Sequence, residues 1–176
     1  MNLPQFRYHP DPLQTGSIQK RDGTCACCGR EVEFLYVSSV YSTHDLRSRL
    51  CPWCVADGSA HARFGATFSD DYSLLRAGLP LSVVEEVTAR TPGYDSWQQE
   101  TWLAHCGDAC AFIGDATKDA LRKLTPEQRA AIFDDAQVSD EDWSKFLQHY
   151  ASGGDPAVYH FRCLHCGTDV FGMDCS

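Results

Sequence analysis

Two Cys-x-x-Cys pairs near the start of the chain constrain its fold more than any other feature. The first pair is Cys25 with Cys28, followed by a glycine, and the second is Cys51 with Cys54. Four thiolates at this spacing are typical of a structural zinc site, to which each pair contributes two tetrahedral ligands. The glycine tolerates the positive φ with which the backbone curls around the ion. We therefore predict one zinc ion bound by these four cysteines, with Cys27 turned away.

The ten cysteines of this 176-residue chain favour metal binding over disulfide bonds. Residues 1–5 have neither the basic flank nor the apolar block of a signal peptide, and no apolar run is long enough to cross a membrane. We therefore expect a cytoplasmic protein without a membrane partner, whose thiols stay reduced. With 43% hydrophobic residues, the chain can bury one sizeable core, which predicts a single domain over residues 1–176.

The acidic balance of the chain argues against direct binding of nucleic acid. Fifteen Lys and Arg residues oppose 24 Asp and Glu residues, which gives a formal net charge of −9. A zinc ion bound by four thiolates adds about −2, so two such sites would bring the protein to roughly −13. Phosphate binding needs a concentrated basic surface, whereas an acidic surface attracts positively charged proteins. We expect a basic protein partner, and the composition leaves the oligomeric state open.

Strands and a short helix are expected around the first cysteine group. Residues 1–24 contain several prolines and predict an ordered, non-helical arm that packs through Phe6, Tyr8 and Leu13. Residues 32–37 are rich in β-branched and aromatic side chains and predict a strand. No glycine follows the second cysteine pair, which favours the start of a short helix. The result would be a treble-clef-like unit over residues 1–65, with a zinc ribbon as the alternative and a loop over residues 65–80.

The central segment, residues 80–152, carries the start signals of several helices. Capping residues precede apolar periodicity at four places, and the segment between the second and third helices also favours a helix. The predicted helices begin after Ser82, Ser96, Thr125 and Ser139 and run to about residues 90, 106, 136 and 152. The predicted fold is therefore α+β, with β-hairpin zinc-knuckle units at both ends of the chain packed on a central helical segment.

The C-terminal unit, residues 156–176, repeats the first knuckle. Residues 158–162 predict a strand, which runs into Cys163 and Cys166 followed by a glycine. Residues 168–173 can complete the hairpin. Two cysteines presented in this way need two further ligands to close a tetrahedral site.

Cys106 and Cys110 form the remaining cysteine pair and predict a second four-cysteine site with the C-terminal hairpin. Either a helix or a looped turn can present these two sulfurs to one ion. His105 or His165 is an alternative ligand, or a neighbour that donates a hydrogen bond to a ligand. Cys175, like Cys27, is expected to remain unliganded.

The expected metal sites favour a structural role over a catalytic one. Four thiolates close the coordination shell, whereas a catalytic zinc keeps an open position. An iron–sulfur cluster could use the same sulfurs, and Cys51 with Cys54 also has the spacing of a redox-active dithiol. The sequence contains no His-Glu-x-x-His motif, nucleophile elbow or phosphate loop. We therefore predict no catalytic residues and a protein that is not an enzyme, with a zinc-dependent enzyme as the alternative.

Several short motifs match a known pattern from one end of the chain to the other. They are Tyr-His-Pro-Asp-Pro at residues 8–12, the first cysteine pair, Cys-Pro-Trp-Cys-Val-Ala-Asp-Gly-Ser-Ala at 51–60, Arg-Thr-Pro-Gly-Tyr at 90–94, Trp-Gln-Gln-Glu at 97–100 and Tyr-His-Phe-Arg-Cys-Leu-His-Cys-Gly at 159–167. Together they resemble the CbrC family of bacterial proteins over nearly the whole chain. The resemblance implies repeated Cys-x-x-Cys pairs, no established enzymatic activity and an association with tolerance to a nuclease-type colicin.

An acidic cluster between the last two predicted helices is the candidate partner-binding surface. Its members are Asp134, Asp135, Asp140, Glu141 and Asp142. A nuclease exposes Lys and Arg to bind phosphates, so an acidic inhibitor can occupy that surface as a nucleic-acid mimic. Favourable interaction with the helix dipole explains the same cluster without any partner. We predict a zinc-stabilised acidic binding module, of the immunity type, that neutralises a basic bacterial toxin such as a nuclease.

A nucleic-acid-binding zinc protein is a further alternative. It would use a local basic face near the first cysteine group, where five arginines lie close in sequence. These are Arg21, Arg30, Arg47, Arg49 and Arg63.

Overall fold

Runs of short strands and runs of short helices follow one another along the chain in the computed structural model, which describes residues 3–133 and 138–176. The strands form three antiparallel sheets: β1 (Ile18–Thr24) with β2 (Glu31–Tyr36); β3 (Ala104–His105) with β4 (Asp108–Ala109); and β5 (Ala111–Asp115), β6 (Ala157–Arg162) and β7 (Asp169–Asp174) in that order. The helices are α1 (Pro52–Ala56), α2 (Ser59–Phe64), α3 (Tyr72–Arg76), α4 (Leu81–Arg90), α5 (Lys118–Leu121), α6 (Pro126–Phe133) and α7 (Asp140–His149). The predicted α+β class and single compact domain are confirmed.

Hydrophobic packing is divided among three clusters, and strand β6 separates two of them. The first cluster surrounds the first cysteine group, and the second is built on the third sheet. Side chains alternate across a strand, so Tyr159 and Phe161 face the second cluster while Val158 faces the third, beneath α6 and α7. Within the described residues, no helix is both long enough and apolar enough to cross a membrane.

The N-terminal arm connects two of these clusters. Phe6 packs into the first cluster and Tyr8 into the second, because the backbone bends at residues 7 and 8. The backbone amide of Phe112 donates to the Tyr8 carbonyl over 2.8 Å, which adds the arm to the edge of β5. The prediction that Leu13 packs inside is wrong, because its side chain is 44% exposed. The arm then continues into β1, a strand that was not predicted because polar residues and a glycine dominate its sequence.

Two of the predicted helix starts are confirmed by their capping hydrogen bonds. The Gln128 amide donates to Thr125 Oγ1 over 3.3 Å, and the Gln128 side chain accepts from the Thr125 amide over 3.0 Å. The Asp142 amide donates to Ser139 Oγ over 3.1 Å. The predicted Ser82 cap is wrong, because α4 already begins at residue 81. The predicted end of α6 near residue 136 lies outside the described residues.

The predicted helix over residues 97–106 is wrong, because tertiary hydrogen bonds hold this segment in irregular backbone and the short strand β3. The Trp97 indole donates to the Gly154 carbonyl over 2.9 Å, and the Gln98 amide donates to Asp174 Oδ2 over 3.0 Å. These partners come from the C-terminal part of the chain, so the capping-box pattern at Ser96 gave no sign of them. The predicted loop over residues 65–80 likewise contains the short helix α3.

His9 is fully buried and joins the arm to the turn after α4. Its Nδ1 lies 2.8 Å from the Pro92 carbonyl oxygen, and its Nε2 lies 2.6 Å from Thr15 Oγ1. A carbonyl oxygen only accepts, so Nδ1 carries the proton and the Thr15 hydroxyl donates to Nε2. Burial disfavours the charged imidazolium and lowers the pKa of His9 to about 4, against the opposing hydrogen bond to Pro92.

This buried neutral histidine predicts a loss of stability in mild acid. Because the folded-state pKa lies below the unfolded value of about 6.5, the contribution is complete above pH 6.5 and is lost as the pH falls towards 4. Its full size is about 3 kcal/mol. His9→Asn keeps a donor near Pro92 but does not titrate. Urea unfolding between pH 7 and pH 4 should therefore give a shallower decline in the free energy of unfolding for H9N. Equal slopes would contradict the assignment.

Candidate metal centres

The first cysteine group brings four sulfur atoms together at one end of the chain. Ligand atoms of Cys25, Cys28, Cys51 and Cys54 all lie within 4.8 Å of one another. The Cys25 and Cys54 sulfurs are 3.9 Å apart, and the Cys28 and Cys51 sulfurs are 4.0 Å apart. A tetrahedral ion with Zn–S bonds of about 2.3 Å separates its sulfurs by about 3.8 Å. The four cysteines are therefore spaced to hold a single tetrahedral metal ion.

A tight turn shapes the first half of this group. Gly29 has a φ of 72°, and its amide donates to the Cys25 carbonyl over 2.8 Å. The Cys51 amide donates to Cys25 Sγ over 3.3 Å, at the point where α1 begins. Donors aimed at a sulfur stabilise its thiolate form, which is the form that binds metal. In the metal-free protein, hydrogen bonds from the Cys51 thiol and nearby amides lower the pKa of Cys25 well below its ordinary value.

Two arginines near this group stabilise it through local contacts. Arg30 Nε donates to Cys28 Sγ over 3.3 Å, and Arg63 donates to the Cys27 carbonyl. The Cys27 sulfur itself lies 3.6 Å from the Ser59 hydroxyl and is not a member of the four-sulfur group. Cationic donors next to a thiolate offset part of its charge.

The second group combines three cysteines with one histidine. Ligand atoms of His105, Cys106, Cys163 and Cys166 lie within 4.8 Å of one another. The Cys106 and Cys166 sulfurs are 3.7 Å apart, and His105 Nδ1 lies 3.2 Å from Cys106 Sγ and 3.4 Å from Cys166 Sγ. Three thiolates and one imidazole are a common donor set for tetrahedral zinc.

The structure places His105, and not Cys110, in the second group. Cys110 is fully buried in the second hydrophobic cluster, where its carbonyl accepts from the Trp102 indole over 2.9 Å and burial raises the pKa of its thiol to about 12. The grouping of Cys110 with Cys106 is thus corrected, and the alternative that uses His105 matches the geometry. Cys175 is not a member of either group.

A two-residue turn explains why Cys110 lies outside the second group. His105 pairs with Asp108 across the β3–β4 hairpin, so Cys106 and Gly107 form the turn, with φ values of 52° and 71°. Such positive φ values at both positions are typical of a tight hairpin turn. The turn presents Cys106 at its tip, and the returning strand takes Cys110 back into the core.

The second group is supported by a buried carboxylate that the sequence analysis missed. Asp108 is 5% exposed and accepts from Arg7, from the Tyr8 hydroxyl and from His165 Nε2, over 2.7, 2.8 and 2.9 Å. Burial alone would raise the pKa of Asp108, but the hydrogen bonds from Tyr8 and His165 lower it overall. The His165 side chain is therefore held by Asp108, which is not a member of the second group, and does not donate to a ligand as the alternative predicted.

The acidic surface predicted from the sequence is only partly described. Asp134 and Asp135 lie outside the described residues. The side chains of Asp140, Glu141 and Asp142 are exposed in the first turn of α7, where each has a local partner. Asp140 pairs with Arg129 and Glu141 with Lys145, both over 2.7 Å, and the Ser139 hydroxyl donates to Asp142 over 2.6 Å.

These features define a small α+β protein with two cysteine-rich centres, one at each end of its chain, that could each hold a metal ion. The chain belongs to UPF0167, described as an uncharacterised protein family, which matches residues 3–175. It is 51% identical over 173 residues to the UPF0167 protein PA1536 of Pseudomonas aeruginosa, covering 98% of this chain and 97% of that protein. It is 42% identical over 179 residues to the UPF0167 protein Mb2317 of Mycobacterium bovis, covering 98% and 93%. No solved structure matches.

Substitutions around the hairpin turn should identify the fourth ligand of the second centre. His105→Ala should lower metal affinity there by at least about tenfold, because losing even an outer hydrogen-bond partner of a ligand costs that much. Cys110→Ser should keep both metal ions under the same chelator challenge. Metal content per protein, measured against increasing chelator, checks this, and the opposite ranking would restore Cys110 as the ligand.

A matched pair of cysteine variants should test the first centre. Cys51→Ser removes one of the four converging sulfurs, whereas Cys27→Ser alters a neighbouring sulfur outside the group. Since metal binding to such sites contributes directly to folding, C51S should lose one metal ion and more than about 3 kcal/mol of stability. C27S should retain two metal ions per chain. Metal analysis and thermal unfolding provide both readouts; equal behaviour of the two variants would argue against a four-cysteine site.

Proposed function

We propose that both centres bind zinc and that both ions are structural. The sulfur spacings carry this proposal, since about 3.8 Å suits one tetrahedral ion, whereas a multi-iron cluster would need wider separation. Each group already supplies four ligands, so no position remains for a substrate or a reactive water. We therefore propose that neither centre is catalytic and that the protein is not an enzyme at these sites.

The acidic character of the protein supports a role in binding a basic protein. The formal charge of −9 excludes the contribution of any thiolate, so metal binding makes the protein more negative still. Asp140, Glu141 and Asp142 are exposed together on one helix turn. Their pairs with Arg129 and Lys145 are at the surface, where an ion pair contributes only about 0–1 kcal/mol. A partner rich in Lys and Arg can therefore replace them at little cost.

An immunity-type inhibitor of a basic toxin, acting in the bacterial cytoplasm, is the function that we propose for this surface. The resemblance to the CbrC family, with its association with colicin tolerance, supports it. Nuclease toxins expose cationic surfaces that bind phosphates, and an acidic protein can cover such a surface. Our proposal is that the α7 carboxylates contact the toxin directly, while the metal centres hold the fold.

Charge reversal should separate a local binding surface from a general effect of net charge. The first variant replaces Asp140, Glu141 and Asp142 with Lys; the control replaces the exposed carboxylates Asp22, Glu31 and Glu33 with Lys and so changes the net charge equally. The probe is a basic nuclease that is crosslinked to this protein in the bacterium that encodes it and is then purified. We expect a Kd on the order of nanomolar, inhibition of the nuclease, and an on-rate that falls steeply with salt.

The two variants should differ in affinity for this nuclease by about tenfold or more, because the binding energy is concentrated where the charges meet. Equal losses would show that only net charge matters. Association that does not respond to salt, or binding without inhibition, would contradict the proposed function.

A further inference from the structure

A cleft lies between the third sheet and the loop that precedes Trp97, and none of its lining residues belongs to either cysteine-rich centre. Its volume is about 540 Å³. Strand β5 contributes Phe112 and Asp115, β6 contributes Tyr159, and the loop contributes Tyr94, Asp95 and Trp97. The proposed function makes no use of this cleft.

Aromatic rings form the walls of the cleft and hold one another in place. Tyr94 stacks on Phe112 with ring centroids 4.3 Å apart and contacts Tyr159 at 4.7 Å. Trp97 lies at the rim with half of its surface exposed, and its indole N–H donates to the Gly154 carbonyl. A half-exposed tryptophan fixed by a hydrogen bond presents its ring to any molecule that enters.

The charged groups of the cleft are carboxylates without counterions. Asp95 and Asp115 are the acidic residues of the lining, and Lys, Arg and His are absent from it. Neither carboxylate has a salt bridge or hydrogen bond from within residues 3–133 and 138–176. Asp115 is an exposed residue at the end of β5, and the protein packed around its carboxyl group raises its pKa by partial desolvation. A carboxylate that has no partner within the protein is free to pair with a cation that enters the cleft.

The Asp115 carboxylate lies close to a glycine that also lines the cleft. A Cβ atom built on Gly153 would lie 3.2 Å from Asp115 Oδ2, so a larger residue at this position would crowd the carboxylate. Ser152, beside it, already donates its hydroxyl to the Ala116 carbonyl over 3.0 Å. Asp115, Ser152 and Gly153 therefore lie together in the lining of the cleft.

We propose that this cleft binds an alkyl guanidinium or ammonium group, with the cation at Asp115 and the alkyl chain against the exposed Trp97 ring. Aromatic faces attract organic cations, and a nearby carboxylate supplies the opposite charge. A metal ion fits less well, because no group of three potential ligand atoms converges here among the described residues. The cation is either a free amine or the Arg or Lys side chain of a protein partner; both have the same chemistry.

The test is an NMR titration of the metal-loaded protein with three probes. N-acetyl-arginine amide mimics a protein side chain, agmatine is a free cation, and N-acetyl-citrulline amide has nearly the same shape without the charge. We expect saturable shifts at Tyr94, Trp97 and Tyr159 with the two cations, and binding of the citrulline compound weaker by about tenfold or more. Tighter binding of agmatine would identify a free amine as the ligand; tighter binding of the arginine amide would identify a partner's side chain.

Isosteric variants complete the design. Asp115→Asn removes the charge inside the cleft and should weaken binding of the two cations by about tenfold. Asp119→Asn removes an exposed charge outside the cleft, and this variant should bind the cations as tightly as the unaltered protein does. Equal affinity for the arginine and citrulline amides, shifts that map elsewhere, or the absence of saturable binding would overturn the proposal. The citrulline comparison uses the unaltered chain, so it decides the matter even where D115N folds poorly. The inference does not depend on a toxin partner, and either proposal can fail alone.

Discussion

The convergence of ligand atoms at two places is the constraint on which the rest of the structure depends. Two-stranded sheets are marginal in water, and the β3–β4 hairpin contains only two residues in each strand. Such elements do not define a fold through their own hydrogen bonds. The positions of these elements are fixed where the ligand atoms converge: Cys25 and Cys28 lie against the start of α1, and the β3–β4 turn lies against the C-terminal knuckle. An ion at each position would close long loops and add binding free energy to folding.

The N-terminal arm couples the surroundings of the two centres. Phe6 packs in the cluster around the first centre, while Arg7 and Tyr8 hold Asp108 beneath the second. His9 then joins the arm to Pro92. A buried carboxylate next to thiolates would be costly on its own, and its three donors offset that cost. The arm is therefore part of the second centre's support, although its sequence shows no metal ligand that is used there.

The cysteine spacing predicted the first centre and the C-terminal knuckle, but not the whole of the second centre. Cys-x-x-Cys-Gly specifies a local turn, and a local turn depends on few distant contacts. Cys106 and Cys110 have a spacing that suits one helical face, yet the positive φ of Cys106 and Gly107 makes a hairpin. One signal was present: the dipeptide Cys-Gly occurs at 28–29, 106–107 and 166–167, and each of these cysteines lies in a candidate centre. Applied to residue 106, the same turn chemistry favours a ligand at the turn over one on a helix.

Tertiary partners account for the helix that was wrongly expected over residues 97–106. A capping box satisfies amides locally, but the Gln98 amide instead donates to Asp174, and Trp97 donates to Gly154. Both partners lie in the last quarter of the chain, so local propensity could not anticipate them. The start signals at Thr125 and Ser139 succeeded because their partners lie within three residues.

The two acidic regions proposed for binding differ in the surroundings of their carboxylates. In α7, Asp140 and Glu141 already have basic neighbours and full access to water, so each attracts a new cation weakly. Several such carboxylates together can steer a basic partner electrostatically over a distance of about 10 Å. Asp115 is also exposed, but it lies in a cleft with aromatic side chains, and the described residues give it no counterion. Its interaction with a cation is short-ranged and depends on shape. The α7 surface can therefore attract a basic partner first, and the cleft can then bind one charged group of the same partner. Alternatively, the two regions bind different ligands.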